Sequence, residues 1–187
     1  MERGGAKKHS LEKATAKKNN PTNSKTATKE GTKAEKTVEA DKTSKEINRE
    51  IKIKYSEILE VKPNDISDVK LYEFIDKWLG VPYKYGGRCT TGVDCSNLAT
   101  LIYAEVYDKS FSGSSASLFN LCKEVSKEEL QEGDLVFFKI EQTKISHIGV
   151  YLHNNKFVHS TTKRGVMISD LNEAYYKKYF FKAGRIR

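Results

Sequence analysis

The chain has 187 residues and a formal net charge of +8, with 33 Lys or Arg against 25 Asp or Glu. No stretch reaches the roughly 18 apolar residues of a membrane-spanning helix, and no apolar signal-peptide core follows the first residues. Acidic residues are interspersed among the basic ones and no nucleic-acid motif is present, so the composition argues against both a membrane-spanning and a nucleic-acid-binding protein.

The first fifty residues differ in composition from the rest. They contain 13 Lys or Arg and 8 Asp or Glu, and every Phe, Tyr and Trp lies after them. A segment so poor in large apolar side chains cannot offset the entropy lost on ordering, so we expect residues 1–50 to be a disordered basic tail or tether. We expect residues 51–187 to form one domain, because they can supply a core.

Helical patterns come first in this domain and strand patterns second. Ser67 is predicted to cap a helix that ends before Gly80, and a second helix is predicted to follow Asp94. Ser126 and Glu129 have the spacing of a capping box and predict a short helical turn. Runs rich in Val, Ile, Phe and Tyr predict strands at 134–140, 145–152, 156–161, 165–169 and 179–186. This order indicates an α+β fold with an antiparallel sheet of about five strands.

A cysteine lies where a glycine-rich loop meets the second helix. Asp94 is a natural N-cap, which places Cys95 in the first helical turn. Unpaired backbone N–H groups and the helix dipole favour a thiolate there, so the sequence predicts a lowered pKa for Cys95. The alternative is a small buried cysteine with a structural role.

Two histidines on successive predicted strands complete a reactive set. A cysteine needs a histidine within hydrogen-bond reach and a third polar group that orients this histidine to act as an acyl-transfer nucleophile. We therefore predict Cys95 as the nucleophile, His147 as the general base and His159 as the residue that orients the base.

The register between these strands decides whether the two imidazoles can meet. A two-residue loop would turn His159 away from His147, because side chains alternate between the faces of a strand. A three-residue loop, 153–155 with Asn155 in a left-handed conformation, would pair His159 with Gly149 and place both imidazoles on one face. The sequence therefore predicts an odd-length loop or a bulge.

Five segments, from about Tyr55 to the C-terminus, resemble in order the NlpC-type cell-wall cysteine peptidases: Trp78–Gly87, Asp94–Ser96, Gly133–Phe138, His147–Tyr151 and Phe157–Ser160. The resemblance implies a papain-like fold in which the nucleophile helix packs on the sheet. It also implies an endopeptidase that hydrolyses peptidoglycan stem peptides, at the bond between γ-D-glutamate and a diamino acid. A same-fold enzyme for another amide and a non-catalytic cell-wall-binding module are the alternatives.

The resemblance adds roles for three further residues. It implies that the Tyr83 hydroxyl and the backbone N–H of Cys95 stabilise the oxyanion. It also implies that Tyr83, Asp94 and Ser115 contact the substrate, with Asp94 binding the free amine of a short stem peptide.

The chain departs from the family pattern at three positions. Relatives usually have glycine where this chain has Asn97, a change that could narrow the cleft. They also carry an arginine and a glutamine where this chain has Gly113 and Leu118, so this loop offers different side chains to a substrate.

The remaining predictions concern cofactors, partners and location. Cys89 and Cys122 could form a disulfide but make no regular framework, and without a C-x-x-C pair we expect no metal and no cofactor. We expect a monomer whose partners are peptidoglycan stem peptides and not nucleic acid. The resemblance places it in the cell envelope, on the periplasmic face, or outside the cell, although this chain shows no export signal.

Overall fold

The computed structural model describes residues 31–140 and 143–186, with side chains from Lys42 onward. Helix α1 spans Gly31–Leu59, so the predicted domain boundary at residue 51 lies inside a helix. The division into a tail of residues 1–50 and a domain of residues 51–187 stays a prediction. Residues 1–30 of the predicted tail lie outside the described part of the chain. Within that part, no helix is both long and apolar enough to cross a membrane.

Three further helices precede the main sheet. They are α2 (Val69–Trp78), α3 (Cys95–Val106) and α4 (Ser115–Phe119). The predicted cap of α2 is wrong by one residue, because Asp68 accepts the backbone N–H of Leu71 while the Ser67 hydroxyl donates to Glu132. Between α2 and α3 lies a hairpin formed by β1 (Arg88–Cys89) and β2 (Gly92–Val93).

The main sheet has six strands in the order β3-β8-β4-β5-β6-β7, and every neighbouring pair is antiparallel. Their bounds are β3 (Cys122–Val125), β4 (Leu135–Phe138), β5 (His147–Tyr151), β6 (Lys156–Thr161), β7 (Gly165–Asp170) and β8 (Phe180–Ile186). The α+β prediction is confirmed. A short helix, α5 (Ala174–Tyr179), precedes β8.

The sequence patterns missed β3, α4, α5 and the β1–β2 hairpin. Strand β3 has half-exposed ends and an exposed Lys123-Glu124 centre, so it lacks the apolar alternation on which strand prediction depends, and it is paired with β8 from Cys122↔Ile186 to Val125↔Ala183. The predicted helical turn at Ser126 is confirmed as a 3₁₀ turn, Lys127–Glu129, closed by its capping box.

The core lies on both faces of this sheet. Helices α2 and α3 and the C-terminal end of α1 cover one face, where the buried side chains include Tyr55, Leu71, Phe74, Leu98, Ile102, Leu135, Phe137, Ile148, Val150 and Val158. A smaller cluster covers the other face and contains Val136, Phe138, Phe157, Leu171, Tyr176 and Ala183. The side chains of alternate strand residues therefore enter two separate apolar layers.

The predicted loop between β5 and β6 is confirmed. Val150 pairs with Val158, a register that sets His159 opposite Gly149. The backbone N–H of Leu152 donates to the carbonyl of Lys156, which leaves residues 153–155 as the three-residue loop. Asn155 has φ +60°, and its neighbour Asn154 is also left-handed at +49°. Asparagine tolerates this region better than most residues.

Candidate active site

The first turn of α3 is fixed by the carboxylate of Asp94. Asp94 is buried and accepts hydrogen bonds from the backbone N–H of Asn97 at 2.8 Å and from the Ser96 hydroxyl at 2.9 Å. Its second oxygen accepts from the backbone N–H of Gly86 at 2.8 Å and from the side-chain amide of Asn97 at 3.0 Å. The predicted N-cap is thus confirmed, and Cys95 is the first residue of the helix.

These four bonds bear on the amine-binding role predicted for Asp94. Both carboxylate oxygens already accept two donors, so an incoming amine would have to displace one of them. The Asn97 amide is the candidate for displacement, although Arg88 holds its oxygen at 2.7 Å. Substrate binding by Asp94 stays a prediction.

The Cys95 thiol lies between the N-terminal end of α3 and the start of β5. Its pKa is raised to about 11, mainly by burial and also by the negative charge of Asp94. Backbone N–H groups of Ile148, Ser96 and Cys95 itself donate to the sulfur and lower the pKa, but burial outweighs them. The predicted low pKa is therefore wrong, because helix position alone did not account for desolvation or for the charge of the cap.

The two histidines meet on one face of the sheet, as the register requires. His147 Nε2 lies 2.7 Å from His159 Nδ1, and the two rings are nearly perpendicular at 74°. Between them in register, Gly149 has no room for a side chain, since a Cβ there would lie 2.5 Å from the Phe157 ring. The Nδ1 atom of His147 is left for a group on the other side of the ring.

Burial makes both imidazoles poor proton acceptors in the resting protein. It lowers the pKa of His147 to about 4. The pKa of His159 is also lowered, first by burial and then by the charges of His147 and Arg164. Together with the raised pKa of Cys95, these shifts mean that the resting site holds a neutral thiol and neutral imidazoles.

Two residues that the sequence did not single out contact the far side of His159. Ser169 Oγ lies 3.0 Å from His159 Nε2, and the Tyr176 hydroxyl lies 3.4 Å from the same atom. Ser169 precedes the end of β7 and pairs with Phe157, on the face that carries the histidines. Applying the register argument to this next hairpin could have found Ser169, whereas Tyr176 belongs to the unpredicted helix α5.

Cys95 and His147 open onto one groove of about 480 Å³. Tyr83 lies on its wall, and the pKa of the Tyr83 hydroxyl is raised by burial and then by the nearby Cys95 and Asp94, so this hydroxyl keeps its proton and can donate. The groove continues along the β6–β7 turn and the start of α5, where its lining includes Thr161, Lys163, Arg164, Glu173 and Tyr175.

Ser115 is not among the residues that line this groove. It is buried at the start of α4, and its hydroxyl donates to the carbonyl of Ile145 at 3.3 Å. The structure therefore gives Ser115 a packing contact, and its predicted contact with substrate gains no support from this geometry.

The three cysteines are free thiols in the described structure. Cys89 is exposed on the β1–β2 hairpin, and its pKa is lowered, first by a hydrogen bond with the Thr91 hydroxyl at 3.0 Å. The pKa of Cys122 is raised to about 11 by burial. The structure does not contain the Cys89–Cys122 disulfide considered from the sequence. No three His, Cys, Asp or Glu side chains converge as metal ligands would in the part of the chain that the structure describes.

These differences predict the order of alkylation. With iodoacetamide near pH 7.5, we expect Cys89 to react faster than Cys95, because only Cys89 is both exposed and lowered in pKa. Tandem mass spectrometry of the tryptic peptide that begins at Cys89 would assign each label to its thiol over time. Cys89→Ser should remove the fast phase of labelling. If Cys95 were instead labelled faster than Cys89, the low pKa that the sequence predicted for Cys95 would be correct.

The comparison with known families matches residues 80–185 to the NlpC/P60 family, a span that contains Cys95, both histidines and the whole sheet from β3 to β8 apart from its last residue. The chain belongs to the NlpC/P60 family. This match confirms the resemblance noted from the sequence motifs.

Several curated NlpC/P60 relatives align with about two thirds of the chain or less. A probable endopeptidase NlpC homolog of Haemophilus influenzae is 36% identical over 121 residues, 65% of this chain and 64% of that protein. The probable endopeptidase NlpC of Escherichia coli K12 is 37% identical over 62% of this chain and 76% of its own length. The murein DD-endopeptidase MepS/murein LD-carboxypeptidase of the same strain is 38% identical over 58% and 57%. The chain thus spans less than two thirds of the first and third of these relatives.

Solved NlpC/P60 structures share the fold. An NlpC/P60 family protein from Bacillus cereus superposes with a TM-score of 0.59 and 29% identity, over 64% of this chain and 40% of that one. A protein similar to lipoprotein of the NLP/P60 family, from Staphylococcus aureus, gives a TM-score of 0.55 and 31% identity over 62% and 40%. These likenesses confirm the papain-like architecture predicted from the sequence.

Proposed function

We propose that this chain is a cysteine endopeptidase that hydrolyses peptidoglycan stem peptides. The observation that carries the proposal is the convergence of Cys95 and His147 on one groove, with His159 hydrogen-bonded behind the base. Family membership supports it, and so do relatives named as murein or peptidoglycan endopeptidases. An enzyme with this substrate would work in the cell envelope or outside the cell.

The hydrogen bonds define which proton sits where before reaction. For His147 to accept a proton at Nδ1, its Nε2 must carry one and donate it to His159 Nδ1. His159 must then carry its own proton at Nε2, where Ser169 Oγ can accept it. The chain of contacts from His147 through His159 to Ser169 thus favours the tautomer of His147 that can act as a base.

The reaction begins from a neutral pair. As the Cys95 sulfur bonds to the carbonyl carbon, its proton moves to His147 Nδ1, and the imidazolium then gives this proton to the leaving amine as the C–N bond breaks. The resulting thioester is hydrolysed by water, with His147 again taking a proton and returning it to sulfur. Generating the thiolate only during attack avoids a standing charge in a site whose burial disfavours charge.

Two donors are proposed for the oxyanion that forms on the carbonyl. The backbone N–H of Cys95 is at the first position of α3, where helical N–H groups have no partner within the helix. The Tyr83 hydroxyl lines the same groove and keeps its proton. Removal of one such donor typically lowers the rate by about a hundredfold or more, so Tyr83→Phe should have an effect of this order.

The bond between γ-D-glutamate and the diamino acid is the proposed site of cleavage. It follows from the family resemblance, whereas the names of the relatives cover more than one bond: one is a murein DD-endopeptidase that is also an LD-carboxypeptidase. Mass spectrometry of purified stem peptides and cross-linked muropeptides after incubation would show which bond breaks. If every substrate stayed intact, the endopeptidase proposal would be wrong, and the alternative of a non-catalytic cell-wall-binding module would be favoured.

Ser169 is proposed as a positioning residue that acts through His159. Ser169→Ala removes the partner of His159 Nε2, so we expect kcat to fall about three- to tenfold with little change in KM. Ser169→Thr keeps a hydroxyl and should restore most of the rate, which a purely structural role for the small side chain would not explain. In His159→Ala, kcat should decrease further than in Ser169→Ala, but activity should stay measurable because the base, His147, remains.

A further inference from the structure

Two cations lie on the wall of the groove at the β6–β7 turn. Lys163 and Arg164 are exposed at this turn and line the same groove as Cys95 and His147. Neither residue makes an ion pair with any carboxylate that the structure describes, although surface cations elsewhere do, as Lys156 does with Asp170 at 2.9 Å. The turn therefore presents positive charge to whatever occupies the groove.

The backbone of this turn is held in place. The Thr161 hydroxyl donates to the carbonyl of Gly165 at 3.2 Å and accepts the backbone N–H of Arg164 at 3.0 Å. Gly165 has φ +67°, and a Cβ there would lie 2.1 Å from the Val81 carbonyl oxygen. The adjacent Val166 N–H donates to that same carbonyl at 2.9 Å. The turn is thus fixed against the segment that leads to Tyr83.

The charge of Arg164 reaches the histidine side of the groove. Burial and the charge of His147 lower the pKa of His159, and the charge of Arg164 adds to this effect. Burial raises the pKa of the Tyr176 hydroxyl, and the charge of Arg164 opposes this rise. Arg164 and Tyr176 line the same groove, so the guanidinium lies near these two buried groups. The groove does contain a carboxylate, Glu173, but one of its oxygens accepts the backbone N–H of Asp170 at 2.9 Å. This wall therefore carries the two positive charges of Lys163 and Arg164 and one negative charge, that of Glu173, which already accepts a hydrogen bond.

We propose that Lys163 and Arg164 bind a free carboxylate of the stem peptide beside the bond that is cleaved. The inference rests on the proposed function and names the chemistry that this groove selects. A guanidinium presents a planar pair of donors that matches a carboxylate, and the neighbouring ammonium adds a second charge. A primary amide in place of the carboxylate carries no charge, and its NH₂ group cannot accept the hydrogen bonds that Lys163 and Arg164 donate.

Besides its C-terminal carboxylate, which every probe keeps free, the proposed substrate has two carboxylates that could fill this position. One is the α-carboxylate of glutamate, which is free because the chain continues through the γ-carbonyl. The other is the second carboxylate of the diamino acid, present only if that residue is a diamino dicarboxylic acid. Both sources share the same chemistry, and amidating one at a time separates them.

The test measures binding to the full chain carrying Cys95→Ala, so that no substrate is consumed. The probes are synthetic stem peptides with both carboxylates free, with only the glutamate carboxylate amidated, or with only the diamino-acid carboxylate amidated. Isothermal titration calorimetry should show that amidation of the recognised carboxylate weakens binding about tenfold or more. The peptide that loses affinity identifies the source.

The variants assign this discrimination to the turn. Adding Arg164→Gln or Lys163→Gln should bring the affinities for the acid and the amide closer together, and the double variant should make them equal. Lys177→Gln is the matched control, since Lys177 is an exposed cation of α5 that does not line the groove. It should keep the discrimination of the parent.

Equal affinity for all three peptides, no binding of any peptide, or undiminished discrimination in the double variant would overturn the inference. Its failure is distinct from failure of the proposed function. Cleavage by the chain with Cys95 intact, followed by mass spectrometry, decides whether the protein is a peptidase. Binding to the Cys95→Ala chain decides whether the turn recognises a carboxylate.

Discussion

Replacing Cys95 with alanine is expected to lower the hydrolysis of stem peptides by about a thousandfold or more. The sulfur is the only nucleophile that shares the groove with His147 and receives backbone N–H donors from both α3 and β5, among the residues that the structure describes. Without it, no covalent thioester can form, and water would have to attack the amide directly. Release of peptide fragments, followed by chromatography and mass spectrometry, measures the loss.

Two comparisons separate lost chemistry from lost structure. Cys89→Ala removes an exposed thiol outside the groove and should retain the parent rate. His147→Ala should match Cys95→Ala, because the nucleophile and its base act as a unit and their effects do not add. Circular dichroism and the urea midpoint would show whether each variant folds. Parent-like hydrolysis by a folded Cys95→Ala chain would contradict the cysteine peptidase proposal.

Burial explains why Cys95 and His147 are both neutral before the reaction. An enzyme that held Cys95 as a thiolate at rest would need an exposed sulfur or an adjacent cation, and the structure instead places the carboxylate of Asp94 beside it. The same carboxylate caps α3 and so fixes the position of the sulfur. The carboxylate of Asp94 therefore positions the Cys95 sulfur and at the same time raises its pKa. The base must remove the thiol proton during attack.

The parts of the site that depend on local pattern were predictable from the sequence. The cap at Asp94 and the three-residue loop at 153–155 follow from short-range rules about side-chain acceptors, left-handed asparagine and strand alternation. These rules left a two-residue and a three-residue loop as alternatives, and the requirement that both imidazoles share one face selected the loop that pairs His159 with Gly149. Strands β4 and β5 were also recognisable, because they are rich in Val, Ile, Phe and Tyr and are bounded by turn residues.

The parts that depend on burial were not predictable. The pKa of Cys95 is governed by how many atoms from distant segments surround the sulfur, and no spacing along the chain reports that number. Strand β3 was missed because its polar centre is stabilised by pairing with β8, some sixty residues later. The contact of Tyr176 with His159 likewise depends on α5, a helix that no sequence pattern indicated.

Acidification is expected to destabilise the fold between pH 6.5 and pH 4, well before most carboxylates are protonated. In the unfolded chain His147 takes up a proton near pH 6.5, whereas in the folded protein its pKa is about 4. Above pH 6.5 the imidazole is neutral in both states and contributes no pH dependence. Below it the unfolded state binds more protons, so the free energy of unfolding decreases as the pH falls.

The size of this effect follows from the separation of the two pKa values. For His147 the loss at pH 4 is about 3 kcal/mol, from roughly 1.4 kcal/mol per pH unit. The pKa of His159 is lowered too, so it adds a loss of the same sign. Asp170 contributes to stability at a lower pH than the histidines. Its pKa lies below its ordinary value of 3.8, so its stabilising contribution is lost only as the pH falls below that value.

Urea unfolding followed by circular dichroism at several pH values between 7.5 and 4 would measure this dependence. The midpoint should be nearly constant above pH 7 and then decrease steadily, with net proton uptake on unfolding in the same range. His147→Gln should flatten part of the slope, because it removes the imidazole whose pKa is lowered by burial. A midpoint that does not change down to pH 4.5 would mean that the paired imidazoles are protonated as readily in the folded protein as in the unfolded chain, and the neutral resting pair on which the mechanism depends would be wrong.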